Sequence, residues 1–128
     1  MLRDDSGYKA NSKQIYKVEA KTNAKIFESE FINDVKVYNQ IKALINDNAF
    51  VGTGYTVTSF DGKIEKTIIV SGDIDGYGKI TSTDYGAVEQ YIKGEKEFTT
   101  EQSMAADVDE NKTIGIGDYL LMKKKSKG

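Results

Sequence analysis

Two stretches of the chain repeat one pattern, GDIDGYGKITSTDYGAV at residues 72–88 and ADVDENKTIGIGDYLLM at residues 106–122. When Asp73 is aligned with Asp107, the other aspartates of the pattern coincide as well. Counted from that first aspartate, each copy has a carboxylate at positions 1, 3 and 12 and an isoleucine at position 8. With this spacing a short loop can wrap a hard cation, because alternate residues point inward and the last ligand lies on the following helix.

The donor atoms collected by this spacing are oxygens, which calcium prefers. Position 7 adds a residue that commonly contributes its backbone carbonyl, and position 5 of the second loop adds an amide oxygen. The predicted calcium ligands are Asp73, Asp75, Lys79 and Asp84 in the first loop, and Asp107, Asp109, Asn111, Thr113 and Asp118 in the second. One such run also fits a solvated acidic turn, but two copies in register favour a pair of loops that binds one or two calcium ions.

The two loops depart from the pattern in different ways. Position 5 of the first loop is Tyr77, whose hydroxyl lies too far from the backbone to replace a short carboxylate. Position 6 of the second loop is usually glycine but is Lys112 here, and a positive φ at such a residue costs on the order of 1 kcal/mol. Because a missing ligand outweighs this strain, the second loop is predicted to be the stronger calcium site. Asp107→Ala is then expected to reduce calcium affinity and stability more than Asp73→Ala.

Helices are predicted after each loop and between the two. Asp84 and Asp118 each stand where a short acid can cap the backbone N–H groups of a helix start. Thr99 and Gln102 have the spacing of a capping box, which predicts a helix through Ala106. The last helix is predicted to begin at Asp118 and to end in the polar tail KKKSKG.

The repeat resembles a dockerin, the calcium-dependent docking module of cellulosome-type and other bacterial surface assemblies, over residues 71–128. A dockerin loop is similar to an EF-hand loop but closes with aspartate, and the first copy lacks an entering helix. Both traits are present, since the residues before Asp73, KTIIVSG, are β-like. The resemblance implies a non-enzymatic module that binds a cohesin-type partner in a bacterial extracellular carbohydrate-degrading or cell-surface assembly.

The same resemblance implies which residues contact the partner. Dockerins use loop positions 10 and 11 and the helix that leaves the loop. The implied contacts are Ser82, Thr83, Tyr85, Val88 and Glu89 after the first loop and Lys123 and Lys124 after the second. The two copies differ chemically at these positions, so one docking orientation is expected to dominate. Capping of the helix start is the alternative role for Ser82 and Thr83, and a solvated tail is the alternative for the lysines.

The N-terminal half is predicted to be rich in strands. Residues 1–13 are polar and predict a linker or disordered arm. Residues 14–70 contain β-like runs, a short helix capped by Asn23, and a hairpin whose turn is Asp61-Gly62. A helix over residues 34–47 is the alternative to two strands in this region, the first of them predicted at residues 35–38. The glycines flanking Thr53 predict a bulge or a close backbone approach rather than a phosphate loop.

These predictions combine into an α+β fold, with a small β-rich module at residues 14–70 followed by an all-α, dockerin-like module at residues 71–128. The phrases VKVYNQ, FVGTGYTV and TIIVSGDIDG give the first module a resemblance to the small β-rich modules (X-modules) that precede dockerins in clostridial surface proteins.

Composition narrows the function further. The 128 residues carry a net charge of −2 and contain neither cysteine nor histidine. This balance favours neither nucleic-acid binding nor membrane insertion, and it removes thiolate chemistry and the commonest general base. Paired aspartates could hydrolyse a glycosidic bond, but the loop pattern already accounts for them.

The resemblance places the protein outside the cell or at the bacterial cell surface. The first ten residues, MLRDDSGYKA, lack the apolar core of a signal peptide, so secretion would make the chain part of a longer polypeptide. The alternative function is a calcium-stabilised structural module of an adhesin or glycan-binding protein that has no cohesin partner.

Overall fold

The computed structural model describes residues 2–127 as one five-stranded sheet with four helices. The mixed α+β class is therefore confirmed. In chain order the elements are β1 (Lys9–Ala10), β2 (Gln14–Val18), α1 (Ala24–Ser29), β3 (Val35–Tyr38), β4 (Thr56–Ser59), β5 (Glu65–Val70), α2 (Ser82–Ile92), α3 (Thr100–Ala106) and α4 (Ile116–Ser126).

The strands lie in the order β1-β2-β5-β4-β3. β2 and β5 pair in parallel, whereas the other neighbours are antiparallel. β4 and β5 form the hairpin predicted from Asp61-Gly62, and the Asp61 carboxylate accepts a hydrogen bond from the Ser59 hydroxyl at 2.7 Å. β5 is the central strand of the sheet. The first acidic loop begins shortly after β5 ends.

Alternation along β5 divides the apolar residues into two cores. Ile68 and Val70 pack with Phe27 of α1 in one cluster, while Ile69 packs in a second cluster with Val88 of α2 and Met122 of α4. Side chains of successive strand residues point to opposite faces, so the sheet is covered on both sides. The three C-terminal helices thus share a core with the sheet. An all-α module that stands by itself over residues 71–128, and the boundary at residue 70, remain predictions.

The prediction of a linker at residues 1–13 is wrong for the described part of that segment. β1 pairs with β2, and Leu2 forms a β-bridge with Phe31. The Tyr8 ring stacks on Phe27 with 5.5 Å between ring centroids. These contacts depend on distant partners rather than on local periodicity, so the polar sequence of the segment gave no sign of them. Met1 lies outside the described residues.

The alternative helix at residues 34–47 is also wrong. Val35–Tyr38 is a strand in register with β4, and a turn follows in which the Asn39 carboxamide accepts the N–H groups of Ile41 and Ala43. Ile41 is 83% exposed, so the apolar residues that suggested a helix do not form a buried helix face. Cross-strand pairing decides the conformation here rather than the local pattern.

The helices of the C-terminal half follow the predictions except at the last one. α2 ends before Gly94, and α3 has the predicted capping box between Thr99 and Gln102. α4 begins at Ile116 rather than Asp118 and continues through the lysines to Ser126. The lysines occupy its last turn, where positive charge interacts favourably with the helix dipole. That interaction favours continuation of the helix through the lysines.

Candidate metal centres

The first acidic loop connects β5 to α2 and brings its three carboxylates together. Asp73, Asp75 and Asp84 each offer an oxygen, and these oxygens lie within 4.8 Å of one another. Asp73 and Asp84 are fully buried. A cluster of three acidic oxygens at this separation matches what a calcium loop provides at positions 1, 3 and 12.

Backbone N–H groups hold the Asp73 carboxylate in place. One oxygen, Oδ1, accepts the N–H groups of Gly76 and Tyr77, both at 3.1 Å. The other, Oδ2, accepts the N–H of Gly78 at 2.9 Å and that of Thr53 at 3.0 Å. Three of these donors belong to the loop itself, whereas Thr53 precedes β4 in the β-rich half. The orientation of Asp73 is therefore determined by both halves of the chain.

Asp84 closes the first loop and starts α2 at the same time. Its Oδ1 accepts the N–H groups of Ile74 and Asp75 at 2.8 and 2.9 Å. Its Oδ2 accepts the N–H of Thr81, the N-cap residue of α2, at 2.8 Å. The predicted capping role of Asp84 is confirmed, and this side chain ties the beginning of the loop to the helix that leaves it.

The second loop repeats this arrangement between α3 and α4. Oxygens of Asp107, Asp109 and Asp118 also lie within 4.8 Å of one another. Asp118 accepts the N–H of Asp109 at 3.2 Å and that of Gly115, the N-cap residue of α4, at 3.0 Å. Asp107 Oδ2 accepts the N–H of Lys112. Its Oδ1 is shielded from solvent and has no hydrogen-bond partner among the described residues, which leaves an oxygen for a cation.

The electrostatics of both clusters favour a bound cation. Burial raises the pKa of Asp73 to about 7, although hydrogen bonds from the N–H groups of Thr53 and Gly78 oppose the rise. Burial is also the main reason why the pKa values of Asp84, Asp107 and Asp118 are raised. Ionised carboxylates this close repel one another, and a divalent cation offsets both the repulsion and the desolvation. The donor sets therefore fit calcium, which takes oxygen ligands.

The remaining predicted ligands lie on the same loops, and their role stays a prediction. Asn111 Oδ1 accepts the N–H of Thr113 at 2.9 Å, and both side chains are exposed. Lys79 is exposed too, as expected for a residue that would contribute only its carbonyl. Tyr77 is 72% exposed at position 5 of the first loop, so its side chain lies in solvent.

The residues predicted to contact a partner differ in accessibility. Exposed side chains belong to Ser82, Thr83 and Glu89 on α2 and to Lys123 and Lys124 on α4. The partly buried Tyr85 ring packs edge-on against Tyr119, with 5.8 Å between ring centroids. Val88 is fully buried in the second core. A partner contact through Val88 is therefore wrong, because its side chain packs inside the molecule.

Sequence reasoning did not find the part that Thr53 and Gly52 play at the first loop. A Cβ atom built on Gly52 would lie 2.1 Å from the carbonyl oxygen of Gly76. The glycines at positions 52 and 54 did predict a close backbone approach, and Gly52 confirms it. The pattern gave no indication that the approaching backbone belongs to the acidic loop.

Two acidic loops, each followed by a helix and each gathering three aspartates, define a duplicated EF-hand-like module of the calcium-binding kind. The family model of the dockerin type I domain matches residues 71–125. Dockerin domains are non-catalytic, calcium-dependent modules that dock onto cohesins, and they occur in extracellular or cell-surface proteins. The match covers both loops and α2, α3 and nearly all of α4.

No family match covers residues 14–70, and comparisons with curated proteins and with solved structures found no match for the chain. The resemblance of the β-rich part to a clostridial X-module remains a prediction. Among the helices of residues 2–127, none combines the length and the apolar character needed to cross a membrane.

Proposed function

We propose that this chain is a calcium-dependent docking unit that binds a cohesin-type domain within a bacterial extracellular or cell-surface assembly, such as a cellulosome that degrades polysaccharides. The observation that carries the proposal is the convergence of three aspartates in each of two loops, in the segment that matches the dockerin type I domain. Calcium supplies the positive charge that holds each loop closed. The shared core of Ile69, Val88 and Met122 then determines where α2 and α4 lie relative to one another.

The partner surface we propose is the exposed side of α2 at its start. Ser82 and Thr83 are exposed there, and Glu89 lies exposed two turns later. The matching positions of α4 are Ile116, which is 64% exposed, and Gly117. Hydroxyl groups can donate and accept hydrogen bonds across an interface, whereas an isoleucine and a glycine at the same places cannot. This difference favours docking through α2, with Lys123 and Lys124 of α4 as the contact surface of the second orientation.

The first loop is proposed as the weaker calcium site and the second as the stronger. Tyr77 gives the first loop no side-chain ligand at position 5, and Asn111 gives the second loop one. Asp107 also keeps an unpaired oxygen. Ligand number and charge tune the calcium affinity of such loops.

The alternative function is a structural module in which calcium only stabilises the fold. The hydrogen bond between Thr53 and Asp73 favours it, because that bond links the first loop to the rest of the same chain. Binding to a panel of purified cohesin domains, measured by calorimetry with calcium and with chelator, separates the two functions. Docking predicts binding that requires calcium, and a structural module predicts that calcium binds while no cohesin does.

A pair of matched double variants tests the proposed surface. Replacing both Ser82 and Thr83 by alanine should weaken cohesin binding at least tenfold, since the loss of a central hydrogen-bonding pair typically costs more than about 1.4 kcal/mol. Replacing both Lys123 and Lys124 by alanine should change the affinity little. Calcium stoichiometry should be the same in both variants, because neither pair is among the proposed ligands. The opposite ranking of the two variants would place the contact on α4 instead.

A further inference from the structure

The first acidic loop is in contact with the β-rich half at several points. Besides the bond from Thr53 to Asp73, the Lys21 N–H donates to the Gly78 carbonyl at 2.6 Å. The backbone of Gly52 lies directly against that of Gly76, where a Cβ atom has no room. These contacts involve the loop backbone and its first predicted ligand. The second loop contacts the same half through side chains, where Glu110 forms ion pairs with Lys9 and Lys17 at 3.7 and 3.8 Å.

The segment that touches the first loop is itself firmly held. The Thr53 hydroxyl donates to the Val70 carbonyl at 3.2 Å and accepts the Val70 N–H at 2.9 Å. On either side, the Val51 N–H donates to Thr22 and the Gly54 N–H to Ile68. The Thr53 side chain therefore fixes its own backbone to the end of β5, only three residues before Asp73. Its N–H is aimed at the carboxylate from a rigid support rather than from a loose loop.

We propose that Thr53 is a positioning residue for the calcium ligand Asp73, and that calcium binding in the first loop is coupled through the segment 51–54 to the β-rich half. The inference rests on the proposed calcium binding. A hydrogen bond to a metal-ligating carboxylate fixes its orientation, and loss of such a partner typically reduces metal affinity 10- to 100-fold. Linkage makes the effect reciprocal, so calcium in the first loop also stabilises the contact of Thr53 with Asp73.

Calcium calorimetry on full-length single-site variants tests this coupling. Asp107→Ala removes a ligand of the second loop and leaves the first loop to be measured, while Asp73→Ala does the reverse. When Gly52→Ala is added to Asp107→Ala, the affinity of the first loop should fall at least tenfold, because the new methyl group displaces the segment 51–54 from Gly76. The affinity of the second loop should stay within about twofold. Gly7→Ala is the matched control, since a Cβ atom there meets nothing within 4 Å.

A second pair of variants covers the case in which Gly52→Ala disturbs folding. Thr53→Val keeps the size of the side chain but loses the hydroxyl that bonds to Val70, so it should weaken the first loop, whereas Thr53→Ser should retain its affinity. Hydrogen exchange gives an independent readout, because calcium should slow exchange of the Thr53 amide in Asp107→Ala but not in Asp73→Ala.

The possible outcomes distinguish failure of the coupling from failure of calcium binding itself. Normal first-loop affinity in both Gly52→Ala and Thr53→Val would overturn the coupling while leaving calcium binding intact. Equal losses in both loops would overturn it as well, since that result indicates general destabilisation. If neither loop of the parent chain binds calcium, the coupling and the proposed function both fail.

Discussion

The two acidic loops carry the same aspartates but differ in what surrounds them. In the first loop Asp73 is fully buried and accepts four backbone N–H groups. In the second, Asp107 is partly exposed, accepts the N–H of Lys112 and keeps one unpaired oxygen. The first loop is part of the interior of the molecule, and the second lies mainly at its surface.

The backbone of the two loops shows why glycine is needed at two positions of the first loop and not at the matching positions of the second. Gly76 and Gly78 have φ values of 85° and 83°, and the matching Glu110 and Lys112 have 58° and 74°. All four are in the left-handed region that favours glycine. A Cβ atom at Gly76 would lie 2.8 Å from the Thr53 carbonyl oxygen, and one at Gly78 would lie 2.7 Å from that of Val51. Packing against the β-rich half therefore requires glycine in the first loop, whereas the exposed second loop accepts side chains and bears the strain.

The largest difference between the loops is expected when the first aspartate is removed. In the presence of chelator, Asp73→Ala should lower the free energy of unfolding by roughly 3–5 kcal/mol. The buried N–H groups of Thr53, Gly76 and Gly78 lose their acceptor at about 1–3 kcal/mol each, and relief of the buried charge offsets part of that cost. Asp107→Ala should lower it by about 1 kcal/mol, since it loses one exposed hydrogen bond, from the N–H of Lys112. Urea denaturation followed by circular dichroism measures both. This ranking reverses the stability order predicted from the sequence, while the predicted order of calcium affinity is unchanged.

Asp73→Asn is the control for that comparison. Asparagine keeps one acceptor oxygen of nearly the same shape, so its stability should fall between those of the parent and Asp73→Ala. If Asp73→Ala and Asp107→Ala destabilised the chain equally, the hydrogen bonds around Asp73 would not distinguish the loops.

Removal of calcium is the next largest perturbation. At a hundredfold excess over Kd, one bound ion adds about 2.7 kcal/mol to stability, which raises the melting temperature by about 10 °C for a chain of this size. Because Ile69 of β5 packs with α2 and α4, both halves should unfold in one transition. Scanning calorimetry with calcium and with chelator measures the shift. The double variant Asp73→Ala/Asp107→Ala should show none.

Two transitions, of which only one responds to calcium, would contradict the shared core. That result would instead support the separate C-terminal module predicted from the sequence. A melting temperature unaffected by chelator would contradict calcium binding by either loop.

The sequence predicted what depends on short, repeated spacing. It identified both loops, the capping role of Asp84, the hairpin at Asp61-Gly62 and the box at Thr99. Each of these features is built from residues within about a dozen positions of one another, so the pattern itself carries the information.

Features that depend on distant partners were not predictable in the same way. β1 is defined by its pairing with β2, and the partners of the buried Val88 side chain by the packing of α2 with Ile69 of the sheet and Met122 of α4. The bond from Thr53 to Asp73 joins residues 20 positions apart. An amide N–H is present at almost every residue, so the sequence carries no mark of the one that will be used.

The smallest effect concerns the strain in the second loop. Lys112→Gly should raise the free energy of unfolding in chelator by about 0.5–1 kcal/mol. Relief of the left-handed conformation gains about 1–2 kcal/mol, and the added flexibility of glycine in the unfolded chain cancels part of it. Lys112→Ala is the matched control, because it removes the same charge but retains a Cβ atom at the φ of 74°. A gain in Lys112→Gly without a gain in Lys112→Ala, measured by urea denaturation, locates the strain in the backbone. Equal gains would mean that the lysine side chain, rather than the absence of glycine, destabilises the second loop relative to the first.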